Sequence, residues 1–83
     1  MAEKKEITFD IVKSIGVLSS TPSNWQKELN MVSWNNNPAK LDIRDWNQDH
    51  DRMRKGLTLT CEEAKMLREI LADLDLDALF GQE

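Results

Sequence analysis

The feature that most constrains the fold is a change in hydrophobic period at Thr60. Before Thr60, apolar and polar residues alternate in short segments that are separated by turn-forming residues, the pattern of strands with one buried face. After Thr60, apolar residues follow the three- and four-residue spacing of an amphipathic helix; they are Ala64, Leu67, Ile70, Leu71 and Leu74. The chain is therefore predicted to be an α+β protein with one C-terminal helix.

Four strands are predicted, and they form a curved antiparallel sheet over about residues 6–59. The first strand runs from Glu6 to Ser20, where Lys13 and Gly16 interrupt the alternation and indicate a bend or bulge. The other three are predicted at 25–35, at 40–46 and, as a short strand that contains Leu57 and Leu59, at 55–59. The connection "NNNPAK" is rich in residues that tolerate positive φ and ends the second strand in a turn.

The helix is predicted to begin with a capping box. Thr60 is followed three residues later by Glu63, and the apolar stripe then continues to about Leu74. Residues 75–83 form a short acidic tail that either extends the helix or folds back. The β-β-β-β-α order over residues 1–83 is predicted to be one domain. Because one helix on one sheet needs fewer apolar residues than this stripe contains, we expect a homodimer formed through the helix region.

Composition limits the setting in which the chain works. A single cysteine, Cys61, excludes an internal disulfide and a cysteine-cluster zinc site. No apolar run approaches the roughly 18 residues that a membrane span needs, and "MAEKKE" leads into no signal-peptide core. We therefore expect a cytoplasmic protein that does not enter a membrane.

The net charge of −4 at first disfavours a nucleic-acid partner. However, residues 61–83 contain seven acidic and two basic residues, whereas residues 1–60 contain eight acidic and nine basic residues. The sheet region is thus close to neutral, and local patches decide where a polyanion binds.

Signals of catalysis are weak. His50 lies between two aspartates in a polar connection and is predicted to be a solvated loop residue. Cys61 is interpreted as an ordinary first-turn residue of the helix, and "DLDLD" lacks the glycine and distal glutamate of a calcium loop. We expect no enzyme activity, no metal and no cofactor.

Aromatic and basic residues share strand faces. Trp25 and Lys27 are two residues apart and lie on one face, and Arg44 and Trp46 do the same on the third strand. Trp34 and Lys55 lie at the ends of predicted strands. Proteins that bind single-stranded nucleic acid combine a positive groove with aromatic platforms. A tryptophan in a small domain is also often a core residue, so this pattern alone favours a strand binder only modestly.

The order of motifs resembles a known family. "LDIRDW", a polar insert, "KGLTLT" and a helix with an acidic start resemble the transcriptional coactivator family called positive cofactor four. "WQKELNMVSWN" is similar to the short bacterial members of the YdbC type. The similarity extends from about Ile7 to Leu74.

The resemblance implies a β-β-β-β-α homodimer that binds single-stranded DNA on its curved sheets, largely without sequence preference, in transcription regulation or DNA maintenance. It leaves RNA binding open. By position it implies contact with the nucleic-acid backbone for Arg44 and an aromatic site for Trp34 and for Trp46. Lys55 matches the lysine before the family's glycine, and Trp25 and Lys27 match the bacterial subgroup. The predicted nucleic-acid-binding residues are therefore Trp25, Lys27, Trp34, Arg44, Trp46 and Lys55.

A different class of function remains open from the sequence. The acidic C-terminal segment, with Leu76, Leu79 and Phe80, is also consistent with a protein-interaction module. Such a module would dock on the transcription machinery through this segment or through the aromatic face.

Overall fold

The computed structural model describes residues 7–81 and contains one four-stranded antiparallel sheet in the order β1-β2-β3-β4. The elements are β1 Phe9–Ser20, β2 Gln26–Trp34, β3 Lys40–Trp46, β4 Leu57–Leu59, α1 Cys61–Ala72 and α2 Leu76–Leu79. The predicted fold class, a curved antiparallel sheet followed by a helix, is confirmed. Glu6, the predicted start of the first strand, and the last two residues of the predicted tail lie outside the described residues.

Strand β1 is irregular where its alternation breaks. Its pairing with β2 shifts register three times, between Ile11 and Lys13, between Ser14 and Gly16, and again between Val17 and Ser19. Each extra residue bends the strand and increases its twist. The predicted bulge is confirmed, and its repetition curves the edge of the sheet.

The connection between β2 and β3 begins with a tight turn of asparagines. Asn35 and Asn36 have φ values of 53° and 64°, and the Asn37 N–H donates to the Trp34 carbonyl oxygen at 2.9 Å. Two successive positive φ values match the twist of a hairpin, and asparagine tolerates them better than most residues. Beyond the turn, β2 and β3 pair without a break from Val32 opposite Lys40 to Gln26 opposite Trp46.

Helix α1 begins at the predicted capping box. The Glu63 N–H donates to the Thr60 hydroxyl at 3.2 Å, and the Thr60 N–H donates to the Glu63 carboxylate at 2.8 Å. The helix ends at Ala72, two residues before the predicted end, with Asp73 as its C-cap. The tail then forms the four-residue helix α2, whose N-terminus is capped by Asp75. Within residues 7–81, neither helix is long or apolar enough to cross a membrane.

The sheet has two different faces. The helix face consists of Leu29, Leu41 and Ile43, which line an apolar groove of about 380 Å³ together with Leu67 and Leu71 of α1. The aromatic face consists of the residues of β2 and β3 on the opposite side of the sheet; they are Glu28, Asn30, Val32, Trp34, Asp42, Arg44 and Trp46. No residue of α1 is buried, so the helix only partly covers the helix face.

Candidate nucleic-acid interface

Trp34 and Arg44 form a stacked pair on the aromatic face. The guanidinium carbon of Arg44 lies 4.5 Å from the centre of the Trp34 ring, within the range of a cation–π interaction. The two residues are ten positions apart in the sequence and lie on different strands. The strand register places Arg44 opposite Glu28, six residues from Trp34 along β2, so the two side chains meet across the curve of the sheet on the side that even-numbered residues share. The pair presents a flat surface that carries a positive charge.

Asp42 holds this pair in position. Its carboxylate accepts from Arg44 Nε at 2.7 Å and from Arg44 Nη2 at 2.8 Å, a bidentate arrangement, and from Trp34 Nε1 at 3.3 Å. Asp42 is 0% exposed, and the Arg44 side chain is 14% exposed. The carboxylate is therefore neutralised before any ligand arrives, and the remaining amino group of Arg44 is not used in this ion pair.

A pocket of about 340 Å³ opens beside the pair at the β2–β3 turn. It is lined by Trp34, Asn37, Pro38, Lys40, Arg44 and Thr58. Lys40 was not among the residues predicted from the sequence. Its parity with Arg44 along β3 is the signal that identifies it, because alternate residues of a strand share a face. The pocket thus combines an aromatic wall with two cationic side chains.

Trp46 occupies a different position from the one predicted. It is 0% exposed, and its ring lies 5.1 Å from Phe9, 6.5 Å from Trp34 and 5.7 Å from His50, centre to centre. The prediction that Trp46 stacks on bases is therefore wrong for this structure. Strand parity correctly placed Trp46 opposite Leu41 and Ile43, but the loop after β3 covers that face at this end of the sheet.

Trp25 and Lys27 lie on the helix side of the sheet, away from Trp34 and Arg44. Lys27 pairs with Asp45, which faces the opposite side from Arg44, and the two charged atoms are 4.0 Å apart. Arg54 stacks on Trp25 at 4.1 Å from the ring centre and lies 3.7 Å from the Asp45 carboxylate. The six predicted site residues therefore do not form one surface.

Lys55 is exposed and lies just before β4. Its neighbour Gly56 passes so close to β3 that an added Cβ would overlap with Arg44 Cβ and with the Ile43 carbonyl oxygen. Because glycine has no Cβ, the chain that leads into β4 can approach the backbone of β3 closely at Ile43 and Arg44.

The loop after β3 is organised by Asn47. Its side-chain oxygen accepts from the Asp51 N–H at 3.1 Å and the Arg52 N–H at 2.9 Å, and its amide nitrogen donates to the Asp51 carboxylate at 2.6 Å. This local network directs the loop back over β2, with His50 in the left-handed region at φ 58°.

His50 is a loop residue, as the sequence predicted, but it is only partly solvated, with its side chain 40% exposed. Its Nε2 lies 3.0 and 2.9 Å from the two oxygens of Glu28, whose side chain is only 7% exposed. Asn30 Nδ2 donates to the same carboxylate at 3.1 Å. Within residues 7–81, no group of three or more His, Cys, Asp or Glu side chains is placed to hold a metal ion.

Comparisons with known proteins agree with this architecture. Residues 21–70 match the family described as Transcriptional Coactivator p15 (PC4). The chain is also 41% identical over 69 residues to an uncharacterized protein of Treponema pallidum (strain Nichols). That alignment covers 83% of this chain and 81% of the Treponema protein.

Proposed function

This chain belongs to the transcriptional coactivator p15 (PC4) family, and on that basis we propose that it binds single-stranded DNA without sequence preference. The family is known for DNA binding and transcription coactivation. The proposed role is in transcription regulation or DNA maintenance in the bacterial cytoplasm, at the nucleoid. The proposal includes no enzymatic step and no cofactor.

The observation that carries this proposal is the Trp34–Arg44 pair beside Lys40. Because the Arg44 guanidinium covers one face of the Trp34 ring, a base would stack on the outer plane of the pair; each base stacked on an aromatic platform contributes about 1–3 kcal/mol by alanine substitution. Lys40 and the unused amino group of Arg44 supply donors for phosphate oxygens at the rim of the same pocket. Because these contacts read the π-face of a base and the backbone rather than base edges, they favour a single strand of any sequence.

Asp42 is essential to this interpretation although it is acidic. An unpaired carboxylate on this face would repel phosphate. The bidentate contact to Arg44 neutralises it and fixes the guanidinium above Trp34. The stacking surface is then ordered before the strand arrives, which lowers the entropic cost of binding.

The test is a titration of the protein with a fluorescently labelled oligo-dT at two salt concentrations. We expect Trp34→Ala to weaken binding by about 1–3 kcal/mol and added salt to weaken wild-type binding, since counterions are released from the strand. Trp25→Ala is the matched control, because it removes a partly exposed tryptophan on the other face. An equal loss from both variants would refute the assignment of the aromatic face, and no binding at either salt concentration would refute the function.

The apolar surface of α1 supports a homodimer. Met66, Leu67, Ile70 and Leu71 of α1, and Leu74 just after it, are each at least 38% exposed. A second copy whose helix fills the groove beside Leu41 and Leu67 would remove these side chains from water. Sedimentation of the wild type should therefore show a dimer at micromolar concentration, and Ile70→Asp should shift it to a monomer. A stable wild-type monomer would rule this arrangement out.

The exposed apolar residues of the tail are consistent with a second candidate function, docking on another protein. Leu76, Leu79 and Phe80 are 47%, 63% and 76% exposed in an acidic segment. If this segment docks on the transcription machinery, replacing Phe80 by Ser should leave oligonucleotide binding unchanged. If the protein shows no tryptophan fluorescence change with oligo-dT at any salt concentration, the docking function is favoured over strand binding.

A further inference from the structure

Glu28 is a buried carboxylate with an unusual partner. Its side chain is 7% exposed, and its two contacts are with His50 and Asn30. A buried carboxylate is strongly disfavoured unless it is paired or hydrogen-bonded. No lysine or arginine within residues 7–81 lies within 4.0 Å of it, so His50 is its only ion-pairing partner in this part of the chain.

His50 lies next to the proposed strand-binding surface. Its ring contacts Trp46, and Trp46 contacts Trp34 nearly parallel to it, at an angle of 13°. His50 also lines a second pocket, of about 250 Å³, on the aromatic face between β1 and β2. His50 is thus two aromatic contacts away from Trp34 on the same face of the sheet.

The two ring nitrogens of His50 have different roles. With Glu28 ionised, its carboxylate only accepts hydrogen bonds, and in that state Nε2 carries a hydrogen that it donates to Glu28. The side chain is 40% exposed, and Nδ1 makes no hydrogen bond among the described residues. With a neutral ring, Nδ1 presents a lone pair, which repels a phosphate oxygen. With a protonated ring, Nδ1 is a charged donor.

We propose that His50 is a further strand-binding residue whose protonated ring, held by Glu28, donates from Nδ1 to a backbone phosphate. Wherever the ring is neutral in the free protein, binding of the strand takes up one proton from solvent. The inference rests on the proposed function and adds to it a residue and a dependence on pH.

The surroundings of His50 contain few other groups that titrate. Glu28 faces it from β2, and Trp46 faces it from β3. The residues of β1 at the second pocket, Ser14 to Val17, carry no charge. Asp49 and Asp51 neighbour it in its own loop, and Asp51 is bonded to Asn47. His50 is also the single histidine of the chain.

The experiment compares oligo-dT affinity at about pH 6 and about pH 8, at constant ionic strength, for the wild type and two variants. The wild type should bind at least about fivefold more tightly at the lower pH, the lower end of usual coupling between two binding events. His50→Asn should abolish this difference. Asparagine is the appropriate replacement because His50 has a positive φ, which asparagine tolerates and most residues do not.

Glu28→Gln separates an electrostatic role from a structural one. Glutamine keeps the shape but removes the charge that holds the protonated ring. We expect the pH dependence to diminish and the affinity at about pH 8 to equal or exceed that of the wild type. An equal loss of affinity at both pH values would mean that Glu28 only supports the fold, and would overturn the proposal.

Calorimetry of the wild type gives a readout that does not depend on any variant folding. Titrations in two buffers with different ionisation enthalpies report the protons taken up when oligo-dT binds at about pH 8, the higher of the two pH values compared above. The expected result is measurable uptake, and zero uptake would overturn the proposal even if the strand binds well. If the wild type binds no oligo-dT at either pH, the proposed function itself fails, so the two failures are distinguishable.

Discussion

Replacing Trp46 by alanine should lower the free energy of unfolding. We expect its direct effect on ligand binding to be small, because the side chain is buried. Trp46 is 0% exposed and is surrounded by the rings of Phe9, Trp34 and His50. Removal of a buried aromatic side chain costs about 3–5 kcal/mol, because transfer energy is lost and a cavity remains. The three ring contacts that disappear are part of this loss.

One property of Trp46 reduces the expected cost. Its Nε1 is buried and has no hydrogen-bond partner among the described residues. An unsatisfied buried donor costs about 1–3 kcal/mol, which the substitution removes. Subtracting this gain from the loss leaves an expected net destabilisation by Trp46→Ala of about 2 kcal/mol. For 83 residues, a total stability of about 4–12 kcal/mol is ordinary, so this is a large share.

Trp46→Phe is the matched control. Phenylalanine keeps an aromatic ring among Phe9, Trp34 and His50 but lacks the unpaired N–H. The smaller ring makes fewer buried contacts, whereas loss of the unpaired N–H removes an unfavourable buried donor. Because these two effects oppose each other, we expect the free energy of unfolding to stay within about 1 kcal/mol of the wild type. Equal destabilisation by Phe and by Ala would mean that Nε1 does have an acceptor.

The measurement is urea unfolding followed by far-UV circular dichroism, because tryptophan fluorescence changes when the fluorophore itself is replaced. Protein concentration must be the same for all variants, since the stability of a dimer depends on it. If Trp46→Ala unfolds within about 0.5 kcal/mol of the wild type but binds oligo-dT poorly, the burial argument is refuted. Trp46 would then be a stacking residue, as its strand parity first indicated.

Three further substitutions test other parts of the structure. Gly56→Ala should destabilise the protein by about 1–3 kcal/mol in urea unfolding, because the new Cβ overlaps with β3; unchanged stability would mean that β4 lies farther away. Thr60→Ala should cost about 0.5–2 kcal/mol by removing the capping box, and Thr60→Ser should restore most of it. Lys40→Ala should reduce the salt dependence of oligo-dT binding by about one phosphate contact, whereas Lys65→Ala on α1 should not; an equal effect of both would contradict the pocket assignment.

Much of the fold was predictable because its signals are local. The capping box depends on Thr60 and Glu63, which are three residues apart. The turn depends on adjacent asparagines, and the orientation of Leu41 and Ile43 toward α1 follows from strand parity. The pairing of Asp42 with Arg44 is also local, since residues two apart on a strand share a face.

The composition of the site was less predictable. Trp25 and Arg44 were both expected to bind nucleic acid, but strand register places them on opposite faces. Lys40 shares the face of Arg44 by strand parity, but the residues two positions from it, Pro38 and Asp42, are not aromatic, so it lacks the aromatic-plus-basic pattern from which the site was predicted.

By itself, then, the sequence determined the order of elements, the faces of the strands and the ends of the helix, since each depends on residues within about one turn or one pleat. Only the tertiary structure decided that Trp46 is covered and that His50 reaches Glu28, 22 residues earlier in the chain. Those contacts require the loop after β3 to fold back over β2. The direction of that loop depends on hydrogen bonds around Asn47 and on the register of two strands together. No periodicity in the sequence encodes such a combination, because it joins segments that meet only after the sheet has formed.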